Sequence, residues 1–85
     1  MEFVYTKRFS KDLSKFPKTI KVKVRERLTI FSADENHQTL NNHKLNPPCD
    51  GYRSINVTGD VRIIYKKEKM FWILCRIGTH HQLYS

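Results

Sequence analysis

Three strand-like segments follow one another closely in the second half of the chain, and they limit the folds that are open to it. They run from Tyr52 to Val57, from Val61 to Lys66 and from Met70 to Ile77, and all are rich in β-branched and aromatic residues. The residues between them, Thr58-Gly59-Asp60 and Lys67-Glu68-Lys69, are short, polar and suited to hairpin turns. Because parallel neighbours need much longer connections, the sequence predicts an antiparallel three-stranded meander.

The first residues of the chain predict a strand followed by a short helix. Residues 2 to 7 alternate in the manner of a half-buried strand. Ser10 is a candidate N-cap, which predicts a helix over Lys11 to Phe16, with Phe9 folding back onto its first turn. Pro17 stops this helix or opens the next one.

The segment from Lys18 to Ser32 is ambiguous in its periodicity. It begins with a strand-like alternation, but its apolar residues also recur at helical spacing. The segment is too long for a typical strand, and its remaining positions carry lysines and arginines, as the solvated face of a helix does. We therefore predict a second helix that forms an antiparallel hairpin with the first.

Together these elements predict an α+β fold in the order β-α-α-β-β-β, with one domain over residues 1–85. The N-terminal strand joins the meander in a curved antiparallel sheet, and the helical hairpin packs on one face. Residues 33 to 50 are polar and predict a connection with a little helix around Leu40. In the last strand, period-two geometry predicts that Phe71, Ile73, Cys75 and Ile77 face the core, while Trp72, Leu74 and Arg76 face away.

Charge and composition narrow the functional classes. Sixteen Lys and Arg against eight Asp and Glu give a net charge of +8, which suits a polyanion or an acidic protein as partner. Neither an export signal nor a membrane span is indicated, and Cys49 and Cys75 lie in unrelated contexts. No pair of residues has the CxxC or HxxxH spacing of metal ligands. We expect a cytoplasmic protein with no cofactor and no membrane partner.

The last ten residues bring together side chains that can act on RNA. Arg76 ends a strand-like run, and His80, His81 and Tyr84 follow it. A histidine can move protons near neutral pH, and an arginine can hold a phosphate in a bidentate grip. This combination on a basic chain indicates chemistry on RNA.

The motifs of this half of the chain resemble those of the RelE/ParE superfamily of bacterial toxins, and most of all its YafQ-type mRNA interferases. The resemblance rests on the stretch from Gly51 to Tyr65, on Arg76-Ile-Gly-Thr-His80 and on the closing Leu83-Tyr84. It covers nearly the whole chain in element order. It implies a RelE-like fold, a ribosome-dependent endoribonuclease activity and inhibition by an antitoxin protein.

The same resemblance implies the site residues. The loop histidine and the leucine after it fall on His43 and Leu45, and the remaining catalytic positions fall on Asp60, Arg76 and His80. The resemblance also implies RNA contacts by Tyr84 and Arg62. Lys44 is a further predicted RNA contact, because it lies beside His43 in a long connection, and such loops are usually functional. Two positions depart from the family pattern, since a second histidine is replaced by Asn56 and a tryptophan by Val61.

The chemistry of RNA cleavage is consistent with these residue types. Attack by the 2′-hydroxyl needs a base, an acid for the leaving 5′ oxygen, and cations around the phosphorane. His43 and His80 can move the protons, and Asp60 can orient them or act as base. Arg76 and Arg62 can hold the phosphate, and Tyr84 can stack on a splayed base. The sequence therefore predicts a metal-independent nuclease.

The sequence also allows purely structural roles for the candidate site residues, and it allows other functions for the protein. His80 can cap a strand, His43 can be a solvated loop residue, and Asp60 can serve a turn. A noncatalytic ParE-like toxin that poisons DNA gyrase is one alternative, although the Gly-Thr-His ending is not expected there. An inactive homologue that only binds antitoxin is another, and Asn56 favours it. Predicted partners are a cognate antitoxin, the ribosome and mRNA, with no direct specific binding to DNA.

Overall fold

The computed structural model describes residues 1–45 and 51–84, and these form one sheet with helices. The strands are β1 (Glu2–Tyr5), β2 (His43–Lys44), β3 (Arg53–Asn56), β4 (Val61–Glu68) and β5 (Phe71–Thr79), and the helices are α1 (Lys7–Ser14), α2 (Lys18–Ala33) and α3 (His80–Tyr84). The strand order is β1-β5-β4-β3-β2. This order of elements confirms the predicted α+β fold. Within the described ranges, no helix is long and apolar enough to cross a membrane.

The meander of β3, β4 and β5 is confirmed, but the sheet differs from the prediction at both edges. β1 is parallel to β5, with Glu2 opposite Phe71, so the prediction of a wholly antiparallel sheet is wrong. The later strands alternate in direction, and the last of them returns beside β1 pointing the same way. At the other edge, β2 lies within the predicted connection and pairs with β3. Leu40 lies in a short 3-10 turn, as predicted, while residues 46–50 of that connection, including Cys49, lie outside the described residues.

The first helix begins earlier than predicted, because Thr6 and not Ser10 is its cap. The Thr6 Oγ1 atom accepts a hydrogen bond from the backbone N–H of Phe9 at 3.1 Å and donates one to the carbonyl oxygen of Leu74 at 2.8 Å. One threonine therefore starts α1 and ties it to β5. Phe9 lies inside the helix and is buried, so it does not precede the first turn. The second helix is confirmed, with Pro17 at its N-cap.

The core lies between the helices α1 and α2 and one side of the sheet, which we call the helix face. Its helical contributors are Phe9, Val24, Leu28 and Phe31. The strands contribute mainly Ile55, Ile63, Tyr65, Trp72, Leu74 and Ile77. One face of each long strand is therefore buried under the helices.

The predicted inward face of β5 is wrong for most of the strand. Trp72 and Leu74 are buried, whereas Phe71 is 43% exposed. A β-bulge changes which side chains of β5 face the core. Ile64 pairs with Arg76 and Tyr65 pairs with Leu74, so Cys75 has no partner on β4. Beyond the bulge Ile77 is buried as predicted, and Arg76 lies on the opposite side of the sheet.

Candidate functional site

The side of the sheet opposite α1 and α2, which we call the distal face, carries three of the predicted site residues, His43, Arg62 and Arg76. Directly paired residues of neighbouring strands project from the same face. One row of such partners is His43, Ser54, Ile64 and Arg76, and the next is Asn56, Arg62 and Gly78. At about 4.8 Å between strands, His43 and Arg76 stand about 14 Å apart at the two ends of their row.

His43 has a defined ring orientation at the edge of this face. Its Nδ1 atom lies 2.8 Å from the carbonyl oxygen of Asn41. Because a carbonyl oxygen can only accept, Nδ1 carries the hydrogen of the neutral ring and Nε2 is left as the proton acceptor. The loop histidine therefore has the tautomer that a general base requires.

The residue before His43 holds this edge strand in place through a polar network. The Oδ1 atom of Asn42 accepts a hydrogen bond from Nε of Arg53 at 2.8 Å. Its Nδ2 group donates to the Tyr65 hydroxyl at 2.7 Å and to the Glu35 carbonyl oxygen at 2.8 Å. Burial raises the pKa of Tyr65 and outweighs the opposing effect of the bond from Asn42. The network fixes the backbone next to His43.

Arg62 lies in the middle of the distal face with part of its guanidinium unsatisfied. Its Nη1 group donates to Oδ1 of Asn56 at 3.1 Å. Its Nε–H group is buried and has no hydrogen-bond partner within residues 1–45 and 51–84. A buried donor without an acceptor is costly, so the Nε–H of Arg62 lowers the stability of this part of the sheet.

Arg76 is held by a carboxylate that the sequence did not point to. Its Nε group donates to Oδ2 of Asp12 at 2.8 Å, and the backbone N–H of Ile77 donates to the same oxygen at 3.2 Å. The other oxygen, Oδ1, accepts from Nε of Arg8 at 3.2 Å. Burial alone would raise the pKa of Asp12, but the bonds from Arg76, Ile77 and Arg8 outweigh it and lower that pKa. Asp12 is therefore an anion that joins α1 to the end of β5.

The C-terminal histidine lies on a short helix. Thr79 and Gln82 form a reciprocal capping box, in which Gln82 N–H donates to Thr79 Oγ1 at 3.2 Å and Thr79 N–H donates to Gln82 Oε1 at 2.8 Å. On α3 the rings of His80 and Tyr84 lie 4.8 Å apart, and both side chains are exposed. The Thr-x-x-Gln spacing was a sequence signal for this helix.

Gly78 allows α3 to fold against the distal face. A Cβ atom at this position would lie 3.0 Å from Gln82 Oε1 and 3.2 Å from Leu83 Cδ2. Because Gly78 pairs with Arg62, it belongs to the distal face. Its missing side chain thus brings the segment of His80 and Tyr84 close to the sheet.

Two predicted residues stand apart from this group. Lys44 pairs with Arg53, so it projects from the helix face, away from its neighbour His43. Asp60 lies exposed in the turn before β4, where its backbone N–H donates to Thr58 Oγ1 at 3.3 Å. The distal face therefore includes His43, Arg62 and Arg76, and it does not include Lys44.

The cysteines and histidines form no recognisable metal centre in the part of the chain that the structure describes. No group of three His, Cys, Asp or Glu side chains there is arranged to hold a metal ion. Cys75 is a free thiol, and burial raises its pKa despite the opposing charge of Lys66.

Comparison with protein families identifies the chain. The model for the family described as "Bacterial toxin of type II toxin-antitoxin system, YafQ" matches residues 1–85. The chain belongs to the YafQ toxin family. A comparison with curated protein sequences finds no match.

Solved structures agree with this assignment of the chain to the YafQ family. The crystal structure of YafQ from E. coli strain BL21(DE3) is 26% identical, with a TM-score of 0.77 over 98% of this chain and 97% of that one. The YafQ chain in the E. coli DinJ-YafQ complex is 28% identical, with a TM-score of 0.74 over 98% and 97% of the two chains. A chain of the RelBE2 toxin-antitoxin complex from Mycobacterium tuberculosis is 21% identical, with a TM-score of 0.77 over 93% and 96%, which shows a common fold.

Proposed function

We propose that this YafQ-family toxin is a ribosome-dependent endoribonuclease that cleaves mRNA in the ribosomal A site. The observation that carries the proposal is the row of partners across the distal face, in which an imidazole and a guanidinium stand at opposite ends, at His43 and Arg76. Such a row can place proton transfer and phosphate binding on one strand of RNA. The proposed substrate places the protein in the cytoplasm.

The chemistry follows from the groups on this face and on α3. His43 accepts the 2′-hydroxyl proton at Nε2, because its Nδ1 is occupied by the Asn41 carbonyl. The attacking oxygen forms a bond to phosphorus and the 5′ oxygen leaves, protonated by His80. Arg76, about 14 Å along the row from His43, holds another phosphate of the same RNA strand. Tyr84, beside His80, stacks on a base.

Arg62 supports this proposal at the position where Asn56 replaces a histidine of the family. In place of a family histidine, Asn56 accepts a hydrogen bond from Nη1 of Arg62 and so orients its guanidinium along the sheet. The positive charge of this guanidinium then lies on the face that meets the RNA backbone. A cation close to the phosphorane stabilises the transition state even though Asn56 itself cannot exchange a proton. Asp60 is left as an exposed carboxylate near the end of the same strand, available to orient a proton carrier.

The direct test is cleavage of message on purified ribosomes. We expect the wild-type protein to cut mRNA in the A site and His80→Ala to leave it intact, because the leaving oxygen loses its acid. Primer extension on ribosome-bound mRNA measures the cuts. A supercoiling assay with DNA gyrase is the companion measurement. Intact message together with gyrase inhibition would replace our proposal by the ParE-like one, and no effect in either assay would favour an inactive homologue.

We also propose that a cognate antitoxin protein binds this toxin. The net charge of +8 suits an acidic partner, and the related E. coli YafQ is found in a complex with DinJ. An apolar groove of about 390 Å³ between β1, α1 and α2, lined by Phe3, Leu13, Val24 and Leu28, can receive the apolar side of a partner helix. We expect the product of the adjacent reading frame to co-purify with this chain. High expression of the active toxin without any partner would contradict this proposal.

A further inference from the structure

A polar pocket of about 190 Å³ lies where α1, the end of β5 and α3 meet. Its charged and polar lining residues are Arg8, Asp12, Lys15, Arg76 and Gln82. Three cations against one carboxylate leave an excess of two positive charges, and a volume of this size can hold a phosphate group. The pocket is thus an anion site by charge and by size.

Asp12 is the centre of the pocket, because one carboxylate binds two arginines. Oδ2 holds Nε of Arg76 at 2.8 Å, and Oδ1 holds Nε of Arg8 at 3.2 Å. The Asp12 side chain is only 10% exposed, whereas those of Arg76 and Arg8 are 30% and 60% exposed. Both guanidinium groups are therefore anchored at the inner nitrogen and reach outward to solvent.

The outer nitrogens of both arginines are available to a ligand. Among residues 1–45 and 51–84, no acceptor binds the terminal Nη groups of Arg8 or Arg76. The terminal edge of a guanidinium presents two parallel N–H donors, which match the oxygens of a phosphate. An arginine fixed at Nε loses less conformational freedom when it binds, so the ion pairs with Asp12 pre-organise the site.

We infer that this pocket binds a phosphate group of the RNA strand through Arg8 and Arg76, with Asp12 as the residue that positions both. The inference rests on the proposed function, and it deepens it by adding a backbone-binding subsite built by α1. RNA is favoured over an acidic protein because the pocket shares Arg76 with the row that ends at His43 and shares Gln82 with the helix of His80 and Tyr84. A strand that passes over the distal face toward α3 reaches this pocket.

The test is direct binding of a fluorescent single-stranded oligoribonucleotide to the full chain, followed by anisotropy over a range of salt concentrations. A plot of log K against log salt has a negative slope for RNA binding, and loss of one phosphate contact with single-stranded RNA makes that slope shallower by about 0.7. We expect Arg8→Ala to show this change and to weaken binding about fivefold or more. Arg25→Ala is the matched control, since it removes the same side chain and charge from an exposed position on α2; we expect it to keep the wild-type slope.

Asp12→Asn separates an organised site from simple charge attraction. This variant raises the net charge by one, so charge attraction alone predicts tighter binding of RNA. If Asp12 positions the two arginines, binding weakens despite the added positive charge. Thermal unfolding of each variant shows that the chain is still folded at the temperature of the titration.

Several results would overturn the inference. Equal slopes for Arg8→Ala and Arg25→Ala would do so, as would tighter RNA binding by Asp12→Asn. If Arg8→Ala weakens binding of polyglutamate but not of RNA, the pocket is a carboxylate site for an acidic protein segment. The titration needs no ribosome, so it can succeed where cleavage fails. Conversely, a wild type that cleaves message while Arg8→Ala binds like Arg25→Ala defeats only this inference.

Discussion

Replacing His43 by alanine is expected to lower the rate of ribosome-bound mRNA cleavage by about 10² to 10⁴-fold, the usual contribution of a general base. The reason is geometric. The Asn41 carbonyl takes the Nδ1 hydrogen at 2.8 Å, so the ring presents a lone pair at Nε2 on the distal face. Single-turnover cleavage with excess toxin measures the chemical step apart from ribosome binding.

His37 provides a matched control for the His43 prediction. It is a second histidine of the same connection, and its Nδ1 accepts a hydrogen bond from the backbone N–H of Thr39 at 3.1 Å, which gives it a local structural role. We expect His37→Ala to cleave within a few fold of the wild type. Equal rates for His43→Ala and the wild type would mean that another group takes the 2′-hydroxyl proton, and Asp60 is the first to test.

Local patterns predicted the parts of the fold that local interactions determine. The short turn around Gly59 allows only an antiparallel hairpin, so the meander follows from sequence. The helix from Lys18 likewise follows from helical spacing over many residues. The parallel partner of β1 did not follow, because it depends on how many times the chain reverses before β5 returns.

The error in β5 came from one irregularity of the sheet. Strict alternation assigns Phe71, Ile73 and Cys75 to the core, but the bulge at Cys75 reverses the phase of that assignment. A bulge is set by pairing with the neighbouring strand, and nothing in the sequence of β5 alone marks it. The strand's own composition is consistent with either face being buried.

Some residues of the candidate site could be predicted from the sequence, and others could not. The resemblance to known toxins was needed to connect His43 with Arg76, and their roles stay predictions here. Asp12 could not be inferred, since it lies 64 residues from Arg76 in sequence. Its only local signal was its position four residues after Arg8 on one helix, a spacing that usually marks a weak surface ion pair. The tertiary fold changes the meaning of that pair by adding β5 as a third member.

Phe31→Ala is the substitution expected to cost most in stability. Phe31 is 1% exposed, and its ring meets Tyr65 edge-on at 5.0 Å and Trp72 at 4.7 Å. Deleting a buried phenylalanine costs about 3 to 5 kcal/mol, and each kcal/mol lowers the Tm of a domain this small by about 4 to 8 °C. The total stability of a small domain is only about 5 to 15 kcal/mol, so this single substitution removes a large fraction of it.

The matched control for Phe31→Ala is Phe71→Ala, which removes the same side chain from β5. Because Phe71 is 43% exposed, we expect a loss below about 1 kcal/mol in the free energy of unfolding. Urea unfolding followed by tryptophan fluorescence measures both variants through Trp72. Similar losses would mean that Phe71 is part of the core. The inward phase of Trp72 and Leu74 and the bulge at Cys75 would then be wrong, while Arg76 would stay on the distal face, since strict alternation from Phe71 also places it there.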